Sequence, residues 1–244
     1  MNDKKKEPLF HIVKRDALPW YQSVGIRAIA IVLALIVCAV VTMILTGTNP
    51  IQVFQSIIAG AFGSARKTWI TFQNIAILLL ISLALTPAFK MKFWNIGGEG
   101  QVLIGGLASA ACMICLAEKL PAALVVVCMI VTSIVAGAFW AFIPAFFKAK
   151  WNTNETLSTL MMNYIATQLV AFFTIVWEVP KGSGKIGIIN QNSNVGWLPQ
   201  AFGSKYLLSI LVAVLITVFM YIYLKYSKHG YEISVVGESE NTAK

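Results

Sequence analysis

The chain has 244 residues, of which 58% are hydrophobic and 12% charged, with a mean hydropathy of +0.75. An ordinary soluble domain carries about 25% charged residues, so this composition excludes one and predicts an all-α polytopic membrane protein. The formal net charge of +9 is a topology signal, not a nucleic-acid footprint, because the cations gather in the sections between apolar runs.

The basic start "MNDKKKEPLFHIVKRD" mimics the head of a signal peptide, but the apolar run behind it is long and lacks an Ala-x-Ala cleavage site. Residues 1–25 are therefore read as a cytoplasmic N-terminus and the run as a retained first span. A transmembrane domain follows over 26–227, with six spans at about 28–46, 69–89, 97–117, 121–147, 155–177 and 206–225. Each has the length a bilayer-crossing helix needs and an apolar core free of charge. Helices are the expectation because backbone groups in lipid must bond within their own segment. Between the first two spans, "NPIQVFQSIIAGAFGS" (49–64) is too short to cross and reads as an amphipathic helix followed by a turn. The third and fourth spans are separated by "EKLP", a tight turn in which Pro121 opens the next helix. The longest connection, 178–205, reads as a functional or flexible outer loop. With the N-terminus inside, roughly two thirds of the 19 Lys and Arg fall in cytoplasmic sections, as the positive-inside rule requires.

Several chemistries are excluded. Cys38, Cys112, Cys115 and Cys128 all sit in apolar runs, so Cys112-x-x-Cys115 reads as packing and not as a redox or zinc motif. "GSGK" (182–185) lacks the glycine and hydroxyl of a phosphate-binding loop, because Val179 and Ile186 stand there. The two histidines, His11 and His229, lie in predicted cytoplasmic flanks, away from any nucleophile. No catalytic residue, metal ligand or cofactor is predicted.

An ionisable residue within a span is costly and must be interior, paired or at an end. "FWNIGGEGQ" (93–101) places Glu99 among Gly97, Gly98 and Gly100, seven residues beyond Lys92, a depth of roughly 10 Å at helical rise. Asn95 and Gln101 supply amide partners, and the glycines permit a bend, so a broken helix is expected near 95–101. Two readings stay open. In one, Glu99 accepts hydrogen bonds from backbone N–H groups freed at a helix start, where the dipole favours negative charge. In the other, the broken helix lines a solute pathway. The fifth span opens with "WNTNETLSTLMMNYIA" (151–166), in which Glu155, Thr159 and Met162 share a face and Asn163 lies deeper. Asn163 serves either interhelical hydrogen bonding or a solute. Asn154-Glu155-Thr156 is a glycosylation sequon, predicted to be silent on the cytoplasmic side. Gly105 and Ser109 form a small-xxx-small pair for close helix packing.

"FWNIGGEGQVLIGG" (93–106) followed by "NETLSTLMMNYIA" (154–166) resembles the permease subunits of bacterial ATP-binding cassette importers for nucleosides and simple sugars, a group related to branched-chain amino acid permeases. The second motif resembles the nucleoside branch most. "GYEISVVGESENTAK" (230–244) resembles the loop with which such permeases dock on their ATPase, and Gly237, Glu238, Asn241 and Ala243 take the matching positions. In that family the loop continues into further spans, so the resemblance implies a coupling-like loop over 228–244 that is cut within its motif.

The resemblance further implies half of a solute pathway in the cell membrane, a second permease subunit, a cytoplasmic ATP-hydrolysing partner and an extracytoplasmic solute-binding protein. Asn95, Glu99, Gln101, Glu155 and Asn163 are its candidate pathway residues, and the 178–205 loop a candidate docking surface. A simple-sugar importer, an ion-coupled secondary transporter using Glu99, and an assembly protein without transport are the alternatives.

Overall fold

A computed structural model describes residues 19–201 and 203–238; the expectations for residues 1–18 and for Asn241 and Ala243 fall outside them. The described residues form eight helices: α1 (Trp20–Thr46), α2 (Pro50–Phe62), α3 (Ala65–Lys90), α4 (Gly98–Leu116), α5 (Ala122–Trp151), α6 (Glu155–Val176), α7 (Leu207–Tyr226) and α8 (Lys228–Glu238). All but α2 and α8 are long and apolar enough to cross a membrane. The chain is thus an all-α polytopic membrane protein.

The chain divides into two units, Met1–Lys67 and Thr68–Lys244. In the first, α1 ends on Gly47, whose φ of 65° suits a residue without a Cβ and whose N–H donates to Met43 O at 3.0 Å. Asn49 then caps α2 by accepting from Ile51 N at 2.9 Å, with Pro50 in the first helical position.

The second unit is organised around α4, which packs most extensively on α5 and then on α6. Small residues make this possible. A Cβ on Gly105 would lie 3.3 Å from Ser133 O of α5, and one on Gly98 would lie 3.0 Å from Leu85 Cδ1 of α3. The buried apolar residues of this unit are likewise Ala76, Val125, Ala166 and Ala213, while large side chains such as Leu78, Phe139, Phe172 and Leu215 point outward. Lipid is as apolar as leucine, so nothing drives large side chains inward and close backbone approach carries the packing. Hydroxyls within the spans donate back to their own helix: Ser82 to Leu78 O, Thr167 to Asn163 O and Thr217 to Ala213 O, at 2.8, 2.9 and 2.7 Å respectively. Cys112 is a free thiol whose sulfur meets Thr132 Oγ1 at 3.2 Å, and the other three cysteines are also free.

Three features differ from the sequence reading. Helix α4 is continuous from Gly98 to Leu116, so the bend expected near 95–101 is the connection between α3 and α4, not a break inside a span. That connection opens with a Schellman turn: Lys92 N donates to Phe89 O at 3.0 Å and Phe93 N to Ala88 O at 2.9 Å. Lys92 occupies its left-handed position at φ 58°, where a side chain costs roughly 1 kcal/mol relative to glycine. Second, α5 runs on through Lys148 and Lys150 to Trp151, because lysines favour a helix C-terminus and Asn152 closes it at φ 50°. Third, residues expected as a loop after the last span form helix α8 over Lys228–Glu238. Ser227 Oγ accepts from Gly230 N at 3.0 Å, and Glu232 lies one turn from both Lys228 and His229.

Replacing Gly105 by Leu is expected to destabilise the α4–α5 contact by about 1–3 kcal/mol, while Gly106→Ala, which faces open space, leaves it unchanged. The monodisperse fraction of purified protein after a heating series separates the two.

Candidate functional site

The segment 95–101 is held at the start of α4 by side chains of its own and of α6. Asn95 Oδ1 accepts from Gly97 N at 2.9 Å and from Gln101 Nε2 at 3.4 Å. From α6, Thr159 Oγ1 accepts from Ile96 N at 3.2 Å. Asn163 grips the segment at two places, accepting from Gly100 N at 2.8 Å through Oδ1 and donating to Ile96 O at 2.9 Å through Nδ2. Asn95, Thr159 and Asn163 are all buried, where an unmade hydrogen bond is costly. The first N–H groups of a helix have no partner within it; in α4 the Asn163 amide takes that of Gly100, while Thr159 and Asn95 take the N–H groups of Ile96 and Gly97 just before the helix. The glycines are steric: a Cβ on Gly100 would stand 2.8 Å from Asn163 Oδ1, and one on Gly97 3.1 Å from Thr159 Cβ. Trp140 of α5 completes the junction; its Nε1 lies 3.2 Å from that same Cβ position on Gly100 and is buried without a hydrogen-bond partner among the described residues.

Glu99 is placed differently from the capping expectation. It lies in the first turn of α4, where the dipole favours it. It is exposed, however, and meets no hydrogen-bond partner among the described residues. The amides of Asn95 and Asn163 do the capping instead. Glu155 is the first residue of α6 and pairs with Lys148 of α5 at 3.0 Å. Asn154, read from the sequence as part of a sequon and of the family-like motif, caps α6 by accepting from Leu157 N at 3.1 Å.

Asn95, Glu155 and Lys148 also line a cavity of about 430 Å³ at the lysine-rich end, bounded by the ends of α3 and α5 and by Val236 of α8. Helix α8 reaches this end because Gly237 is buried against the carbonyl of Lys90, into which a Cβ would run. Its neighbour Glu238 is exposed. Of the coupling candidates, then, Gly237 faces inward and Glu238 outward.

At the opposite end the long connection is folded onto α4. Asn190 Nδ2 donates to Met113 O at 2.9 Å and to Val195 O at 3.0 Å, and Trp197 Nε1 donates to Ile189 O at 3.0 Å. Glu178 closes the first part of the loop, accepting from Gly182 N at 2.6 Å and Gly184 N at 2.8 Å. The Gly182 N–H, followed by that of Gly184, holds the Glu178 carboxyl below its ordinary pKa. Nothing in the sequence spacing announced Asn190 or Trp140, since both act through residues far away in the chain.

Asn163→Leu should leave the buried Gly100 N–H and the part-buried Ile96 C=O unpaired and cost about 2–4 kcal/mol. Thr159→Val should cost less, because it strands one N–H; chemical denaturation in detergent reads both. For Glu178 the folded pKa is depressed, so the loop's added stability is present above the ordinary carboxylate pKa and is lost as pH falls through the lower folded value. Hydrogen exchange at Gly182 and Gly184, corrected for intrinsic rate, should show protection at neutral pH that fades in acid, and Glu178→Gln should remove the pH dependence.

Residues 68–244 match the family described as branched-chain amino acid transport system, permease component. The chain is 31% identical over 219 residues to a guanosine ABC transporter permease protein of Bacillus subtilis, the alignment covering 88% of this chain and 62% of that relative. It is 28% identical over 224 residues to a nucleoside ABC transporter permease protein of Lactococcus lactis, covering 88% and 61%. It is 27% identical over 241 residues to a glucose ABC transporter permease protein of Haloferax volcanii, covering 94% and 62%. The chain thus spans about six tenths of the length of these curated relatives. No solved structure matches it. With the family's pattern running through every helix from α4 to α8, the chain belongs to the permease components of the branched-chain amino acid transport system family.

Proposed function

We propose that the chain is a transmembrane permease subunit of an ATP-driven importer, that its solute is a nucleoside, and that it forms half of the solute pathway. The observation that carries this reading is the similarity, over 88% of the chain, to permeases named for guanosine and for nucleosides. A simple sugar is the second reading, favoured by the glucose permease matched over 94% of the chain.

The lysine-rich end is assigned to the cytoplasm by the distribution of cations, which puts the N-terminus and α8 inside and the 178–205 loop outside. On this view ATP is hydrolysed by a separate cytoplasmic partner that meets α8 through its outward side, Glu238 included, and through Asn241 and Ala243 beyond it. A second permease subunit completes the pathway, and an extracytoplasmic solute-binding protein delivers solute to the folded outer loop. Differential binding of ATP to inward- and outward-open states supplies the driving force.

Of the pathway candidates, Asn95, Asn163 and Glu155 are engaged within the chain; the two amides serve to position the start of α4, and Glu155 ties α6 to α5. Glu99, exposed on the first turn of α4, keeps its carboxylate for a pathway shared with the second subunit, and Gln101, whose Nε2 donates to Asn95 at 3.4 Å, keeps its amide oxygen. An ion-coupled carrier would need Glu99 to take up and release a proton.

Uptake of labelled guanosine is the test, in cells with and without the gene, before and after ATP depletion at a constant ion gradient. Gene-dependent, ATP-dependent uptake blocked by unlabelled nucleosides but not by ribose is expected; competition by sugar alone moves the assignment to sugars. Glu99→Gln should keep expression and ATP dependence. Loss of gradient coupling in that variant would instead identify a secondary transporter.

A further inference from the structure

We propose that the cavity at the lysine-rich end binds the phosphate headgroup of an anionic phospholipid, with Lys92 as its principal cation. The cavity measures about 430 Å³ and joins an apolar wall, including Ala88, Ala145 and Val236, to a polar rim of Lys92, Asn95, Lys148 and the Glu155 carboxylate, which Lys148 neutralises. That division of surfaces matches the glycerol region and the headgroup of a lipid. Basic pockets between membrane helices on the cytoplasmic side are suited to such headgroups.

Of the two lysines that line the cavity, one is uncommitted. Lys148 is engaged by Glu155 at 3.0 Å, whereas Lys92 makes no ion pair among the described residues. Lys92 also stands at the left-handed position of the Schellman turn, φ 58°, where glycine is conformationally cheaper. The backbone there gains nothing from a side chain, but the cavity gains an ammonium at its rim.

Aromatic side chains set the depth. Trp94, edge-on to Phe89 with ring centroids 5.8 Å apart, and Trp151, with Lys150 Nζ 5.0 Å from its ring, are both more than half exposed at this end. Exposed tryptophans beside lysines mark the level of lipid headgroups. The cavity is lined by the connection that carries Trp94 and by the last turns of α5, which ends on Trp151. The inference rests on the cytoplasmic assignment of this end but not on the solute, because lipid binding is read without transport.

The experiment is a thermal-unfolding titration of the purified permease assembly in detergent with phosphatidylglycerol, phosphatidylcholine, or inorganic phosphate alone. Phosphatidylglycerol is expected to raise the midpoint, and the other two are not. Lys92→Gly should fold at least as well as the parent in phosphatidylcholine, yet bind phosphatidylglycerol about five-fold more weakly, the contribution of one lysine at an anionic surface. Ala145→Phe, which fills the cavity, should weaken it too, and Lys228→Gln, an exposed lysine outside the cavity, should not. Equal responses to the two lipids, or an unchanged affinity in Lys92→Gly, overturn the proposal. A Lys92-dependent shift with phosphate alone overturns the lipid as occupant and assigns the site to a soluble phosphate. No response to either lipid overturns the proposal as well, and leaves the cavity to a protein partner.

Discussion

The side-chain amide of Asn163 ties α6 to the start of α4 at two backbone groups, Gly100 N–H and Ile96 C=O, and the second unit is arranged around that tie. A helix that begins within a packed apolar bundle brings several N–H groups with no partner of their own, and lipid supplies none. Water is the usual remedy at an exposed helix end; here three side chains replace it: Asn163 takes an N–H of the first turn, and Asn95 and Thr159 take those of the two residues leading into it. Their reach is short, so the two backbones must come close, and Gly97 and Gly100 are the residues that permit it. The glycines and the amides are thus one device, in which neither half works without the other.

This arrangement explains why a carboxylate among glycines is not the cap. A buried charge is far costlier than a buried amide unless it is paired, and no cation of the described residues reaches Glu99. The amides take the interior positions, and Glu99 keeps only the favourable orientation of the first helical turn, with its head outside the junction. Glu155 shows the complementary solution: it also begins a helix, but Lys148 neutralises it.

The spans were legible in the sequence because twenty apolar residues in a row have few other fates. The polar residues of the junction were also legible as a set, since each stood in an apolar context that demanded a partner. Which partner was not. Asn163 meets residues 63 and 67 positions away in the chain, and no periodicity encodes a contact of that separation. Helix α8 was illegible for a local reason: its sequence "KHGYEISVVGE" carries a glycine near each end and little apolar periodicity, and its cap, Ser227, stands among residues that read as the flank of the last span. Asn190 was hidden in a long loop whose composition reads as flexible, although its amide fixes that loop to the end of α4.

Contacts at the lysine-rich end form a continuous chain from α8 to the junction. Gly237 rests on the carbonyl of Lys90, Lys90 ends α3, and the Schellman turn that follows leads within five residues to Asn95 and Ile96. Ile96 is in turn bonded to α6 through Thr159 and Asn163, while Asn95 holds Gly97 and Gln101. A displacement of α8 toward or away from α3 therefore acts on a turn that cannot yield alone, because its far end is anchored by buried hydrogen bonds whose loss leaves polar groups stranded. Bending is the costlier response, and movement of the turn together with the starts of α4 and α6 the cheaper one. Packed elements of this kind shift between discrete arrangements instead of deforming continuously, so a partner pushing on α8 would reposition the helix junction as a body.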